Sequence, residues 1–149
     1  MKINKYAINE LDDGIKLINQ NETDCSLACI AMVGRTTLEE VHNAFPEFNG
    51  VGTTNKELIT VLDRLKILHI VYASDSLFYG RLYIVTVPSV NKCGNTHNIV
   101  VINHEDGNSI ILDPNEGRKN KKFYSEDSSI ENAIELKSWC DPIEIIWVP

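Results

Sequence analysis

No apolar run in this 149-residue chain approaches the roughly 18 residues that a membrane-spanning helix needs. The first ten residues, Met1-Lys2-Ile3-Asn4-Lys5-Tyr6-Ala7-Ile8-Asn9-Glu10, hold no apolar stretch of signal-peptide length either. The expected setting is therefore the cytoplasm, with no membrane span. Basic charge is scarce: 14 Lys and Arg stand against 21 Asp and Glu, a net charge of −7, which argues against a nucleic-acid partner. The one basic cluster, Arg118-Lys119-Asn120-Lys121-Lys122, reads as a short solvated loop. Cysteine is sparse. Cys25, Cys29, Cys93 and Cys140 are expected as free thiols in such a setting, not as a disulfide framework. Repeats, low-complexity tracts and long linkers are missing too, so residues 1–149 are expected to form one domain. At that size a core buries roughly 68–70% of the unfolded chain's surface, enough to stand without staples.

What is present falls into two halves. In the first, the polar run Asn19-Gln20-Asn21-Glu22-Thr23-Asp24 gives way at Cys25 to Ser26-Leu27-Ala28-Cys29-Ile30-Ala31-Met32. This pattern predicts a helix with Asp24 as N-cap, running to about Val33 and stopped by Gly34. Thr36 with Glu39, and Thr37 with Glu40, offer overlapping capping boxes for a second helix ending near Phe45-Pro46. A third box, Thr54 with Glu57, precedes the helical stripe Leu58, Val61, Leu62 and Leu65. The second half reads as strands at residues 68–72, 81–87, 98–102, 109–112 and 143–148, and Ser128 with Glu131 would cap a short helix before the last of them. Residues 2–9 would form a weak edge strand, and Asp12-Asp13-Gly14 a turn. Helices first and antiparallel strands afterwards is the α+β pattern.

A cysteine in the first turn of a helix lies where unpaired backbone N–H groups and the helix dipole favour the thiolate, which is the nucleophilic form. Taken alone, Cys25 reads sooner as a small buried hydrophobe, the usual fate of a free cysteine. A thiolate nucleophile needs a base in reach and a third group to orient that base. His42, on an amphipathic helix, His69, opening a strand, and His104, beside an acidic turn and expected exposed, have ordinary structural explanations. His97 follows the loop-like Cys93-Gly94-Asn95-Thr96 and opens the best strand. If Glu105-Asp106-Gly107 is a three-residue hairpin loop with Gly107 left-handed, His104 pairs with Asn108 and Ile99 with Asp113. His97 and Asp113 are then diagonal neighbours on one sheet face. A two-residue loop at Asp106-Gly107 would turn Asp113 to the opposite face. In the first register Ile99 and Val101 share the face of His97 and would pack against the helix that starts at Cys25. The Asp113 carboxylate would accept the imidazole N–H, as the third member of a triad does.

The stretch Asp24-Cys25-Ser26-Leu27-Ala28-Cys29-Ile30-Ala31-Met32 resembles the nucleophile motif of the bacteriocin-processing peptidases. These are papain-like cysteine peptidases that cleave double-glycine leader peptides, usually as the N-terminal domain of an export transporter. His97-Asn98-Ile99-Val100-Val101, followed by Asp113-Pro114-Asn115-Glu116-Gly117, resembles the second half of the same signature. The resemblance implies a papain-like α+β fold, N-terminal helices packed on a C-terminal antiparallel sheet, as a standalone domain without the transporter. It also implies Cys25 as nucleophile, His97 as base and Asp113 as orienting residue, with no cofactor. There are two departures. The family usually has glycine where this chain has Ser26. It also carries an oxyanion-holding glutamine six residues before the cysteine, where this chain has Asn19, with Gln20 five back. A one-residue deletion in the loop would deliver Gln20 to that role, while Asn19 is competent but shorter.

The expected function is hydrolysis of a peptide bond in a peptide or protein substrate, with small residues such as Gly-Gly at the cut, for a separate exporter or against a host protein. Gly94 and Asn95 are expected in the wall of the groove. An apolar groove beside Cys25 would favour the leader-peptide substrate. The alternatives are a weak or inactive papain-like module that binds a peptide or partner, and an acyltransferase using the same three residues. A zinc site from Cys25, Cys29, Cys93 and His97 is a further rival, since both pairs are four residues apart.

Overall fold

The computed structural model describes residue 11 and residues 13–149; the edge strand expected at residues 2–9 lies outside them. Three helices come first among the described residues: α1 (Cys25–Val33), α2 (Leu38–Ala44) and α3 (Asn55–Arg64). The strands follow: β1 (Leu68–Val71), β2 (Arg81–Pro88), β3 (Thr96–Asn103), β4 (Ser109–Leu112), β5 (Phe123–Tyr124), β6 (Ala133–Ile134) and β7 (Cys140–Trp147). This is the expected α+β order.

Every residue of α1 from Ser26 to Val33 is buried, as befits a helix apolar all round, and it packs chiefly on β3 and α2. It stops where expected, for a different reason. Gly34 keeps a right-handed conformation (φ −79°), and the left-handed residue is Arg35 (φ 54°). Glycine is needed at 34 for room, because a Cβ there would lie 2.9 Å from the Ile30 carbonyl oxygen and 3.1 Å from Ile67 Cδ1. In α2 the cap is Thr37, whose hydroxyl accepts Glu40 N–H at 3.1 Å; the Thr36 hydroxyl donates instead to the Glu40 carboxylate. The Thr54–Glu57 box is complete, with both reciprocal bonds formed at 3.0 and 3.1 Å.

Five strands form an antiparallel sheet in the order β1-β7-β2-β3-β4. The β3–β4 hairpin pairs Val100 with Leu112 and Asn103 with Ser109. His104 N–H donates to Asn108 O at 2.9 Å, and Gly107 is left-handed (φ 88°). That is the register of the three-residue loop.

Two expectations fail. Ile99 and Val101 do not pack against α1. They join Tyr83, Val85, Val87, Ile111 and Tyr124 in a core on the opposite face of the sheet, while Val100 and Ile102 lie with α1. From His97 on, β3 is buried along its whole length, so its alternation is apolar on both sides and carries no sign of which side the helix takes. The second failure is the helix expected after Ser128. The Asp127 carboxylate binds both the Ser129 N–H and its hydroxyl, at 3.0 and 2.6 Å, which turns the chain before a helix forms. Asn132 is left-handed (φ 69°), and β6 then pairs in parallel with β5. No helix among the described residues is long and apolar enough to cross a membrane.

Candidate active site

The open end of this sheet brings the two halves of the chain together. Cys25 is the first residue of α1, so its N–H has no intrahelical partner. His97 is the second residue of β3, and Asp113 follows the last residue of β4. His97 Nε2 lies 2.7 Å from Asp113 Oδ1, with both residues buried and Asp113 inaccessible to solvent. The carboxylate is fixed on both oxygens: Oδ1 also accepts Asn115 N–H at 2.8 Å, and Oδ2 accepts Tyr124 N–H at 2.8 Å. β5 therefore contributes a backbone donor that fixes the carboxylate's orientation, a role with no signature in the sequence.

With Nε2 engaged by Asp113, the other ring nitrogen of His97 is left for Cys25, and the imidazole and the thiol each favour the charged form of the other. Burial opposes charge on both groups, raising the thiol and lowering the imidazole, but it is outweighed. The hydrogen bond and charge of His97, with the Asn98 N–H, bring the Cys25 thiol below its ordinary range. The Asp113 carboxylate and Cys25 raise His97 to about 9. The other thiols shifted by their surroundings go the opposite way. Burial pushes Cys29 well up in the core, and burial beside Asp141 raises Cys140. Cys29 is fully buried and Cys93 exposed. Among the described residues, no three His, Cys, Asp or Glu side chains gather as metal ligands.

Asp24 is the N-cap of α1, as expected, its carbonyl accepting Ala28 N–H at 3.0 Å, but its side chain makes no capping bond. Its carboxylate instead accepts Asn21 N–H at 2.6 Å, Asn21 Nδ2 at 2.9 Å and His42 Nε2 at 2.8 Å. His42 thus has a partner next to Cys25 that lies 18 residues away in sequence. Gln20 is buried and lines the groove above Cys25. Its Nε2 gives one proton to Glu22 O at 3.3 Å, and its Oε1 has no partner. The Asn19 amide points elsewhere, donating to Pro114 O at 3.0 Å and Glu116 O at 2.7 Å. His69 bonds Ile67 O at 3.0 Å beside Asp63, and His104 is buried at the hairpin, not exposed.

The groove has a volume of about 690 Å³ and holds Cys25, His97 and Gln20 together. Gly94 and Asn95 are in its wall, as expected. The basic run is a loop with Lys119, Asn120 and Lys122 exposed, as expected, but Arg118 and Lys121 line the groove as well.

A helix opening on a cysteine, packed on an antiparallel sheet that presents a histidine and an aspartate at one end, defines a papain-like cysteine peptidase domain. The model of the peptidase C39 family matches residues 15–128, and the chain belongs to that family, the one its two motifs resemble. No curated protein matches the chain.

Proposed function

We propose that the protein hydrolyses peptide bonds through Cys25, His97 and Asp113, with Gln20 completing the oxyanion hole. The observation that carries this reading is the line from a half-buried thiol at a helix start, through His97, to a buried carboxylate anchored on both oxygens, with the thiol and the imidazole lining one groove. Protonated His97 keeps Cys25 as thiolate, and the thiolate attacks the peptide carbonyl carbon. The resulting oxyanion is held by the Cys25 N–H, directed by the helix start, and by Gln20 Nε2. His97 passes its proton to the leaving amine. In its neutral form it then deprotonates the water that opens the thioester, and the free enzyme returns. Asp113 keeps the ring oriented and stabilises its charged form. The substrate is a peptide or protein, and no cofactor takes part.

An apolar groove would have favoured a double-glycine leader. This one is mainly polar, with Thr53, Ser89 and Asn95 in its walls and Val51 its one aliphatic side chain among the described residues.

The test is the rate of iodoacetamide alkylation at each cysteine against pH, read by mass spectrometry in wild type and in His97→Ala. Cys25 is expected to react far ahead of Cys140 below pH 8, and His97→Ala to remove that lead. Equal rates at Cys25 and Cys140 would refute the ion pair and, with it, the peptidase reading.

A further inference from the structure

The basic run after Asp113 is folded back on itself and over the groove. Arg118 N–H donates to Asn115 O at 3.1 Å, and Lys121 N–H to Arg118 O at 3.2 Å. Asn120 takes a left-handed turn between Arg118 and Lys121 (φ 61°). Arg118 Nη1 is held by Asn115 Oδ1 at 2.7 Å, and Asn115 is itself tied to the carboxylate of Asp113. The far end of the run is joined to the loop before His97: Asn91 Nδ2 donates to Lys122 O and Lys122 N–H to Asn91 Oδ1, both at 2.8 Å. The chain neighbours of that pair, Lys92 and Lys121, are thereby brought to the same stretch of rim, and both line the groove with Arg118.

The groove's two carboxylates, Glu22 and Glu57, are outnumbered by these three cations. Glu57 is engaged in its capping box with Thr54. Glu22 is exposed and reaches only Arg118, at 3.4 Å. Lys92 and Lys121 have no carboxylate partner among the described residues. In a chain of net charge −7, a cleft that collects three cations from two loops has been given a local sign opposite to the whole. Clefts concentrate such a field on whatever enters them.

We propose that the groove selects peptides carrying acidic side chains close to the scissile bond, with Lys92, Arg118 and Lys121 as the residues that read them. This rests on the reading of Cys25 and His97 as the catalytic pair, since it assigns specificity to the groove they share. Lys92 and Lys121 act on binding, and neither touches the reacting atoms.

The experiment uses occupancy of the groove, not turnover. Two decapeptide pools of otherwise identical composition are compared, one carrying Asp and Glu where the other carries Asn and Gln. The readout is the concentration of each pool that halves the rate of Cys25 alkylation. The acidic pool is expected to protect at a concentration lower by roughly 3- to 10-fold, the scale of a few partly exposed ion pairs. That advantage should vanish in 1 M salt, where the screening length is about 3 Å. Lys92→Glu/Lys121→Glu, both at exposed or half-buried rim positions, should abolish or reverse it, with thermal unfolding confirming an intact fold. Equal protection by the two pools, no protection by either, or a preference unchanged in the double variant would overturn the proposal. Failure of the underlying reading looks different: Cys25 would then alkylate no faster than Cys140 before any peptide is added.

Discussion

The hydroxyl of Ser26, the residue after Cys25, donates to Asn98 Oδ1 at 2.6 Å, with both residues buried. The orientation of the Asn98 amide is fixed from its other end, where Nδ2 donates to Val85 O at 3.3 Å and Thr86 Oγ1 at 3.2 Å. A carbonyl can only accept, so Oδ1 must face Ser26, and the single proton of that hydroxyl is committed to it. Of the groups that lower the Cys25 thiol, His97 and the Asn98 backbone N–H come before the Ser26 side chain. The residue standing where the family usually has glycine thus ties the start of α1 to the start of β3.

Ser26→Ala removes the donor and leaves Asn98 Oδ1 buried and unpaired. A loss of about 1–3 kcal/mol in chemical denaturation is expected. Asn98→Ala should cost a similar amount, since it strips the Ser26 hydroxyl of its acceptor. The two losses should not add, because residues in one hydrogen-bond network couple. Additive losses in the double variant would show that the pair does not join helix to strand.

The paired shifts of Cys25 and His97 make hydrolysis and alkylation diverge in alkaline solution. Hydrolysis needs the thiolate and a protonated imidazole together. It should fall on the acid side as pH drops through the lowered thiol pKa, and again on the alkaline side as His97 loses its proton at about 9. Alkylation needs only the thiolate, so its rate should not fall through that second transition. A pH–rate profile for cleavage beside one for iodoacetamide, on the same preparation, checks this. A parallel decline of both above pH 9 would mean that His97 is not the proton donor.

Asp113→Asn tests the anchor of that histidine. The wild-type carboxylate accepts three N–H groups, from His97, Asn115 and Tyr124. An amide in its place must turn its own NH2 toward at least one of them. Cleavage should drop by about 10²–10⁴, and the alkaline limb should move to lower pH as His97 loses the partner that raises it. Stability carries the same signature. His97 is raised in the folded state, so its pairing stabilises fully below its unfolded pKa and is lost as pH rises through about 9. The stability gap between wild type and variant should therefore narrow across that window in urea titrations. A gap independent of pH would remove His97 from the effect.

What the sequence disclosed was local. The Thr54–Glu57 box names its own helix start through side chains three residues apart. Gly107, left-handed in a three-residue loop, sets the register that carries Asp113 to His97. The parts that escaped depend on distant partners. Nothing near Asp24 marks its carboxylate as the partner of His42 and not of its own helix's N–H groups. The apolar faces of β3 are too alike to show that α1 lies over Val100 and Ile102. The Arg118–Lys122 run looks like any solvated charge cluster until Asn91 draws it over the groove.

Gln20 is the expected oxyanion donor and Asn19 the competent but shorter alternative, and the two side chains have different surroundings. Gln20 lines the groove with a free amide proton, and its backbone N–H is held by Pro114 O at 3.1 Å. Asn19 spends its amide on Pro114 O and Glu116 O, bracing the segment just after Asp113. Gln20→Ala should therefore lower kcat by about 10²–10³, the usual cost of one oxyanion donor. It should leave KM and the alkylation rate of Cys25 nearly unchanged, since neither involves a tetrahedral intermediate. Asn19→Ala should show the reverse pattern. Two bonds to the brace are lost, each worth about 0.5–1.5 kcal/mol, and the unfolding midpoint falls while kcat stays within a few-fold of wild type. Steady-state kinetics and urea denaturation on the two variants separate these outcomes. A large kcat loss in Asn19→Ala alone would move the oxyanion donor one residue back.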